Sequence, residues 1–189
     1  MIKQLKIMKI RMNEIVTLNK GLIVFILCVF MFNSCTSEIE QEKPVNWSKE
    51  QSTQMHRELA AEEEIDIQLF LAQHADWKMT KTGSGLQYYI YEHGEGKLAE
   101  VGDYAQVEFK ITLLDGTLCY ETEKNEFQEF KVDLSEVETG IQEGVKLLHQ
   151  GDRAKLIIPS HLAHGLVGDM NKIPPLNPIV VDLFLKELK

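Results

Sequence analysis

The chain reads as an α+β protein: an antiparallel half-barrel sheet wrapped around one short helix, with a helical extension in front. Three observations lead there. From residue 86 onward, runs of alternating apolar and polar side chains are separated by turns containing Gly, Asp or Pro, the pattern of half-buried strands. Inside that region, segment 136–148 departs from alternation and puts Val137, Ile141, Val145 and Leu148 on one helical face. Ahead of it, the stretch from Lys49 to His74 holds no Gly or Pro and is dominated by Leu, Ala, Glu and Gln, which favours helix.

The first residues address the chain to a membrane. Lys3, Lys6, Lys9, Arg11 and Lys20 form a basic run, followed by an apolar stretch over 21–32. Such a stretch can enter a translocon but falls short of the roughly 20 apolar residues needed to cross a bilayer. It ends at Phe32-Asn33-Ser34-Cys35, which resembles a bacterial lipoprotein signal with Phe32 where Leu is commoner. The resemblance implies a signal peptide over 1–34, cleavage before Cys35, and a lipid on that thiol. A short anchor retained uncleaved is the alternative. Both put the remainder in the cell envelope, lipid- or membrane-anchored, on the periplasmic or surface side.

Charge and cysteine count narrow the partners. Residues 1–34 hold five of the 20 basic and one of the 29 acidic side chains, so the chain beyond them carries a net −13. That charge repels nucleic acid and anionic lipid, and no basic stripe offsets it. Beyond Cys35 only Cys119 remains, so the folded part must be held by its core rather than by a disulfide.

Residues 35–47 are polar and acidic and predict a tether, with a surface-export signal as the alternative. Residues 48–82 form the helical extension and hinge. Ser48 and Gln51 predict a capping box, and Ile65, Leu69 and Ala72 form an apolar stripe that needs a partner surface. That surface is either the chain's own domain or a second copy, which would make the extension a homodimer arm. The domain proper is expected over 83–189. Strands are predicted at 86–91, 104–114, Leu118–Glu121, 127–134, Arg153–Ile158 and Ile179–Leu188, with the helix 136–148 stopped by Gly151.

The succession Asp115-Gly116, Gly140-Ile141-Gln142-Glu143-Gly144, Gly151-Asp152-Arg153-Ala154, His164-Gly165 and Ile173-Pro174-Pro175 resembles the FKBP-type peptidyl-prolyl isomerases in order and spacing. The resemblance covers 86–189. It implies an FKBP-like half-barrel, proline-containing polypeptide clients and no cofactor. Trp47-Ser48-Lys49-Glu50 and the segment 81–86 look similar to the gliding-motility-associated FKBP-like lipoproteins of Bacteroidetes-type bacteria.

Rotation about an X–Pro bond meets a barrier near 20 kcal/mol, and lowering it requires neither nucleophile nor metal. An apolar cup that strips water from the imide and fits the twisted state suffices. The resemblance places Val137 and Ile173 at matching positions of that cup. Phe109 replaces a rim Tyr, Ile141 the Trp of the floor, and Val181 and Cys119 two Phe walls. Tyr120, with Glu121 beside it, stands for a rim Asp. His164 stands for the Tyr of Tyr-Gly, and Glu138 for an Ile. Phe127 and Phe130 neighbour the position of a further pocket Phe, where ungapped counting lands on Gln128. Ile141, His164 and Phe109 are thus the expected catalytic residues. Cys119, Tyr120, Phe130, Val137, Glu138, Ile173 and Val181 are the expected peptide contacts. Losing the Trp floor alone removes roughly 1–2 kcal/mol of binding at about 25 cal/mol per Å².

Other sites are weaker. His161 and His164 lie at H-x-x-H, but metal ligation needs three or four convergent groups. Cys119 beside Tyr120-Glu121 lacks the electropositive setting of a reactive thiol. Two functions stay open. One is an envelope-anchored prolyl isomerase of modest activity assisting the folding of exported proteins. The other is a non-catalytic FKBP-like module that binds peptide or scaffolds a motility or secretion assembly.

Overall fold

A computed structural model describes residues 48–124 and 126–189. The expected signal peptide, Cys35 and the tether lie outside the described residues.

Helix α1, Lys49–Ala72, starts where the sequence says it should. The Gln51 N–H donates to Ser48 Oγ at 3.2 Å, and the Ser48 N–H donates to Gln51 Oε1 at 3.0 Å, closing a capping box. At its end the chain tightens as the Gln73 and His74 N–H groups donate to the Phe70 and Leu71 carbonyls. The rings of Phe70, His74 and Trp77 pack together there.

The sheet is wholly antiparallel. Its strands are β1 (Thr80–Lys81), β2 (Gln87–Glu92), β3 (Tyr104–Leu113), β4 (Leu118–Glu121), β5 (Gln128–Lys131), β6 (Arg153–Ile158) and β7 (Ile179–Leu188), in the order β1-β2-β6-β7-β3-β4. β5 and β4 share one edge of β3: Ala105 pairs with Phe130, and Ile111 with Tyr120. A bulge at Ile111/Thr112 adds a residue to β4 and bends that edge. The predicted hinge at 83–85 is the turn of a small β1–β2 hairpin, so the sheet begins inside the expected extension. Helix α2, Thr139–Val145, is shorter than predicted. The residues before Thr139 are not helical, and Glu138 at the helix start is at φ −50°, ψ 135°.

Strand alternation sorts side chains to two faces. Leu156 and Ile158 of β6 and Ile179, Val181, Leu183 and Leu185 of β7 join Val107, Val145 and Leu148 in the main core around α2. Ile157 and Val180, paired across β6 and β7, point the other way and meet Ile67 of α1, with Phe70, Leu71, Trp77, Met79 and Leu114 around them. The extension therefore docks on its own domain, but not by the expected stripe. Ile65 and Leu69 are each 59% exposed and Ala72 is exposed, whereas Ile67 is 1% exposed. Two apolar stripes coexist on α1, and the sheet takes the one with the larger side chains. The Glu63 carboxylate fixes that rotation by accepting from the Ser160 N–H and hydroxyl.

Candidate active site

The approach of α2 to the sheet sets the site. A Cβ at Gly140 would come within 2.2 Å of Ile158 Cγ2, and one at Gly144 within 2.6 Å of Leu156 Cδ1. Only glycine lets the helix lie this close to β6. The segment before α2 is held by Gln142, a buried amide whose Oε1 accepts from the Asp133 N–H at 2.9 Å and whose Nε2 donates to the Ser135 carbonyl at 3.2 Å. The non-helical stretch from Glu136 to Glu138 thereby becomes a wall opposite β3.

Between that wall and the sheet lies a cup of about 350 Å³. Its lining comes from Val107, Phe109 and Ile111 of β3, Tyr120 and Glu121 of β4, Gln128 and Phe130 of β5, Glu136, Val137 and Glu138, Ile141 of α2, and Leu183 of β7. Apolar side chains form most of it, and carboxylates stand among them.

Six of the ten predicted site residues line the cup together: Phe109, Tyr120, Phe130, Val137, Glu138 and Ile141. His164 is not on the lining; its Nε2 lies 3.4 Å from Glu138 Oε1, at one remove. Cys119, Ile173 and Val181 are at most 2% exposed and belong to the core rather than the lining. For Val181 the reason is size: without a Phe ring, its short side chain ends in the core. Cys119 Sγ is directed at the Thr117 and Lys172 carbonyls, and burial together with the Asp169 charge pushes its thiol up.

Sequence reasoning did not assign Val107, Ile111, Glu136 or Leu183 to the site. Strand alternation could have found Val107, Ile111 and Leu183, which share faces with Phe109 and Val181. Asp169 was also missed. Its Oδ1 accepts the N–H groups of Asn171 at 2.9 Å and Ile173 at 2.8 Å, and its Oδ2 accepts the Tyr120 hydroxyl. Burial opposes ionisation of Asp169, but those hydrogen bonds outweigh it and hold the carboxyl down at about 2. The same contact raises the Tyr120 hydroxyl. Among the described residues no group of His, Cys, Asp and Glu is placed to hold a metal ion.

This geometry meets its counterpart in known proteins. A family profile described as FKBP-type peptidyl-prolyl cis-trans isomerase matches residues 95–186. Those residues belong to that family. They include every residue of the cup. The chain is 34% identical over 157 residues to a probable FKBP-type peptidyl-prolyl cis-trans isomerase FkpA of Neisseria meningitidis, covering 81% of this chain and 57% of that one. It is 29% identical to a macrophage infectivity potentiator of Trypanosoma cruzi, covering 88% of this chain and 83% of that one. The crystal structure of FkpA from Escherichia coli superposes with a TM-score of 0.60 at 30% identity, covering 74% of this chain and 64% of that one. The chain spans about half the length of the FkpA relatives from Neisseria and E. coli. The FKBP resemblance read from the sequence is thus confirmed, as is the antiparallel α+β fold.

Proposed function

We propose that the chain is a peptidyl-prolyl cis-trans isomerase acting on proline-containing segments of exported proteins. The observation that carries this reading is the cup. Phe109, Ile141 and Phe130 offer an apolar hollow inside the family domain, with Glu121, Gln128, Glu136 and Glu138 also on its lining. A prolyl ring entering it loses the water that solvates the planar imide. The twisted state, in which the imide nitrogen is no longer conjugated, suits an apolar wall better than either isomer does. No bond to the protein forms. Ile141 in place of Trp gives a shallow floor, so activity is modest.

A protease-coupled prolyl-peptide assay on residues 36–189, with and without a macrolide that fills such pockets, tests this. Turnover above background that the macrolide blocks supports the isomerase. A second reading, a non-catalytic binding module of a motility or secretion assembly, is favoured by that same Ile141 floor. Peptide binding without turnover would select it.

The basic run and Ser34-Cys35 support anchoring in the envelope through lipid on Cys35. No helix among the described residues is long and apolar enough to cross a membrane. Cys35→Ser should abolish acyl labelling and block processing, and unchanged labelling would sink the lipoprotein reading. The exposed Ile65 and Leu69 leave room for a second copy on α1. Sedimentation of a variant lacking residues 36–79 tests that arm.

A further inference from the structure

Resting on the isomerase reading, we propose that Asp169 is a positioning residue for the cup: it holds the Tyr120 ring as a fixed wall and so sets affinity for the prolyl peptide. Tyr120 lines the cup, yet its phenol points out of it, donating to Asp169 Oδ2 and accepting from Asn171 Nδ2 at 3.3 Å. The hydroxyl has one proton, and that proton is committed to a carboxylate. Tyr120 therefore offers the peptide a ring face, not a donor.

Asp169 can fix that ring because it is itself fixed. Its other oxygen takes the Asn171 and Ile173 N–H groups, its own N–H donates to the Ile173 carbonyl at 3.0 Å, and Ile173 is 2% exposed in the main core. Lys172 fastens the same turn from the other side. Its Nζ donates to the Cys119 carbonyl at 2.7 Å and lies 4.9 Å from the Tyr120 ring centroid. Apolar burial anchors this loop only at Ile173, since Leu166 and Val167 are exposed and Met170 is 87% exposed. The Tyr120–Asp169 contact joins the wall to this anchored loop, and it is a charge-assisted hydrogen bond of the stronger kind. The low Asp169 carboxyl and the raised Tyr120 hydroxyl agree with a contact that persists across neutral pH.

The test compares Tyr120→Phe, Asp169→Asn and the double variant, none of which changes side-chain size much. Each single variant should raise KM for a prolyl tetrapeptide about five-fold, the share of one hydrogen bond of about 1 kcal/mol, with kcat within about two-fold. The double variant should be no worse than either single one. In an absorbance titration at alkaline pH, one tyrosine should ionise at lower pH in Asp169→Asn than in wild type. That change should vanish in the double variant. The Kd of the same peptide is measured alongside. Absence of turnover in wild type would sink the isomerase reading, and the Kd series would still decide this one. Unchanged KM and Kd in both single variants, multiplied effects in the double variant, or no tyrosine shift would each overturn the proposal.

Discussion

Along β7, Val181 and Leu183 point to the concave face of the sheet and Val180 to the convex one, and each face meets a helix. The two helices are used in opposite ways. On the concave side α2 has seven residues, lies close because of Gly140 and Gly144, and leaves a hollow beside it. On the convex side α1 has 24 residues but buries only Ile67, with partial help from Phe70 and Leu71. The short helix shapes the cup, whereas the long one is a strap. Perturbing the concave face should therefore cost function, and perturbing the convex face should cost stability alone.

The largest expected effect lies at the cup floor. Ile141→Asp puts a carboxylate where the prolyl ring must be dehydrated, and turnover should fall to background. Circular dichroism checks that the variant folds. A folded variant with wild-type turnover would show that the cup is not the catalytic centre.

On the convex face, Ile67→Ala removes a side chain that is 1% exposed and should cost about 2–4 kcal/mol of unfolding free energy. Prolyl-peptide turnover should stay at the wild-type level. A denaturant series with a parallel assay measures both. Loss of turnover with little loss of stability would reverse the roles assigned to the two faces.

The two faces also differed in how far they could be read from sequence. The strands were legible because one-sided burial imposes a period of two. The seats of Phe109 and Ile141 followed from motif order, whereas counting landed on Gln128 and left Phe127 and Phe130 undivided beside it. The docking rotation of α1 was not legible, because Ile65/Leu69/Ala72 and Ile67/Phe70/Leu71 both satisfy helical spacing. Side-chain size favours the second stripe, and what fixes the rotation is a carboxylate contact from Glu63 to Ser160, 97 residues away. The Tyr120–Asp169 contact spans 49 residues in the same way. Hydrophobic periodicity carries no information about such polar fastenings.

A smaller effect is expected from acid. The Asp169 carboxyl is held at about 2 against an ordinary value of 3.8, so it binds its proton less readily folded than unfolded. Its contribution is full above about pH 4 and is lost as pH falls toward 2. In wild type the loop contact should loosen over that window, whereas Asp169→Asn lacks the contribution at every pH. Thermal melting of both proteins between pH 5 and 2 measures it, and the gap between them should close as pH falls. A gap independent of pH would mean that the carboxylate charge contributes nothing there.

The smallest effect concerns the rim. By the sequence resemblance His164 takes the place of the Tyr in the family's Tyr-Gly, and here its ring is turned to Glu138 rather than to the cup. His164→Tyr removes that contact and supplies a longer side chain ending in a hydroxyl. If the hydroxyl reaches the carbonyl of a bound peptide, the gain is one neutral hydrogen bond, about 1 kcal/mol or five-fold in kcat/KM. His164→Phe provides the same ring without the donor and should show no gain. Equal rates for the two variants would assign any improvement to ring packing. A loss in both would show that the imidazole beside Glu138 supports the wall of the cup, tying the rim to the same face as Ile141.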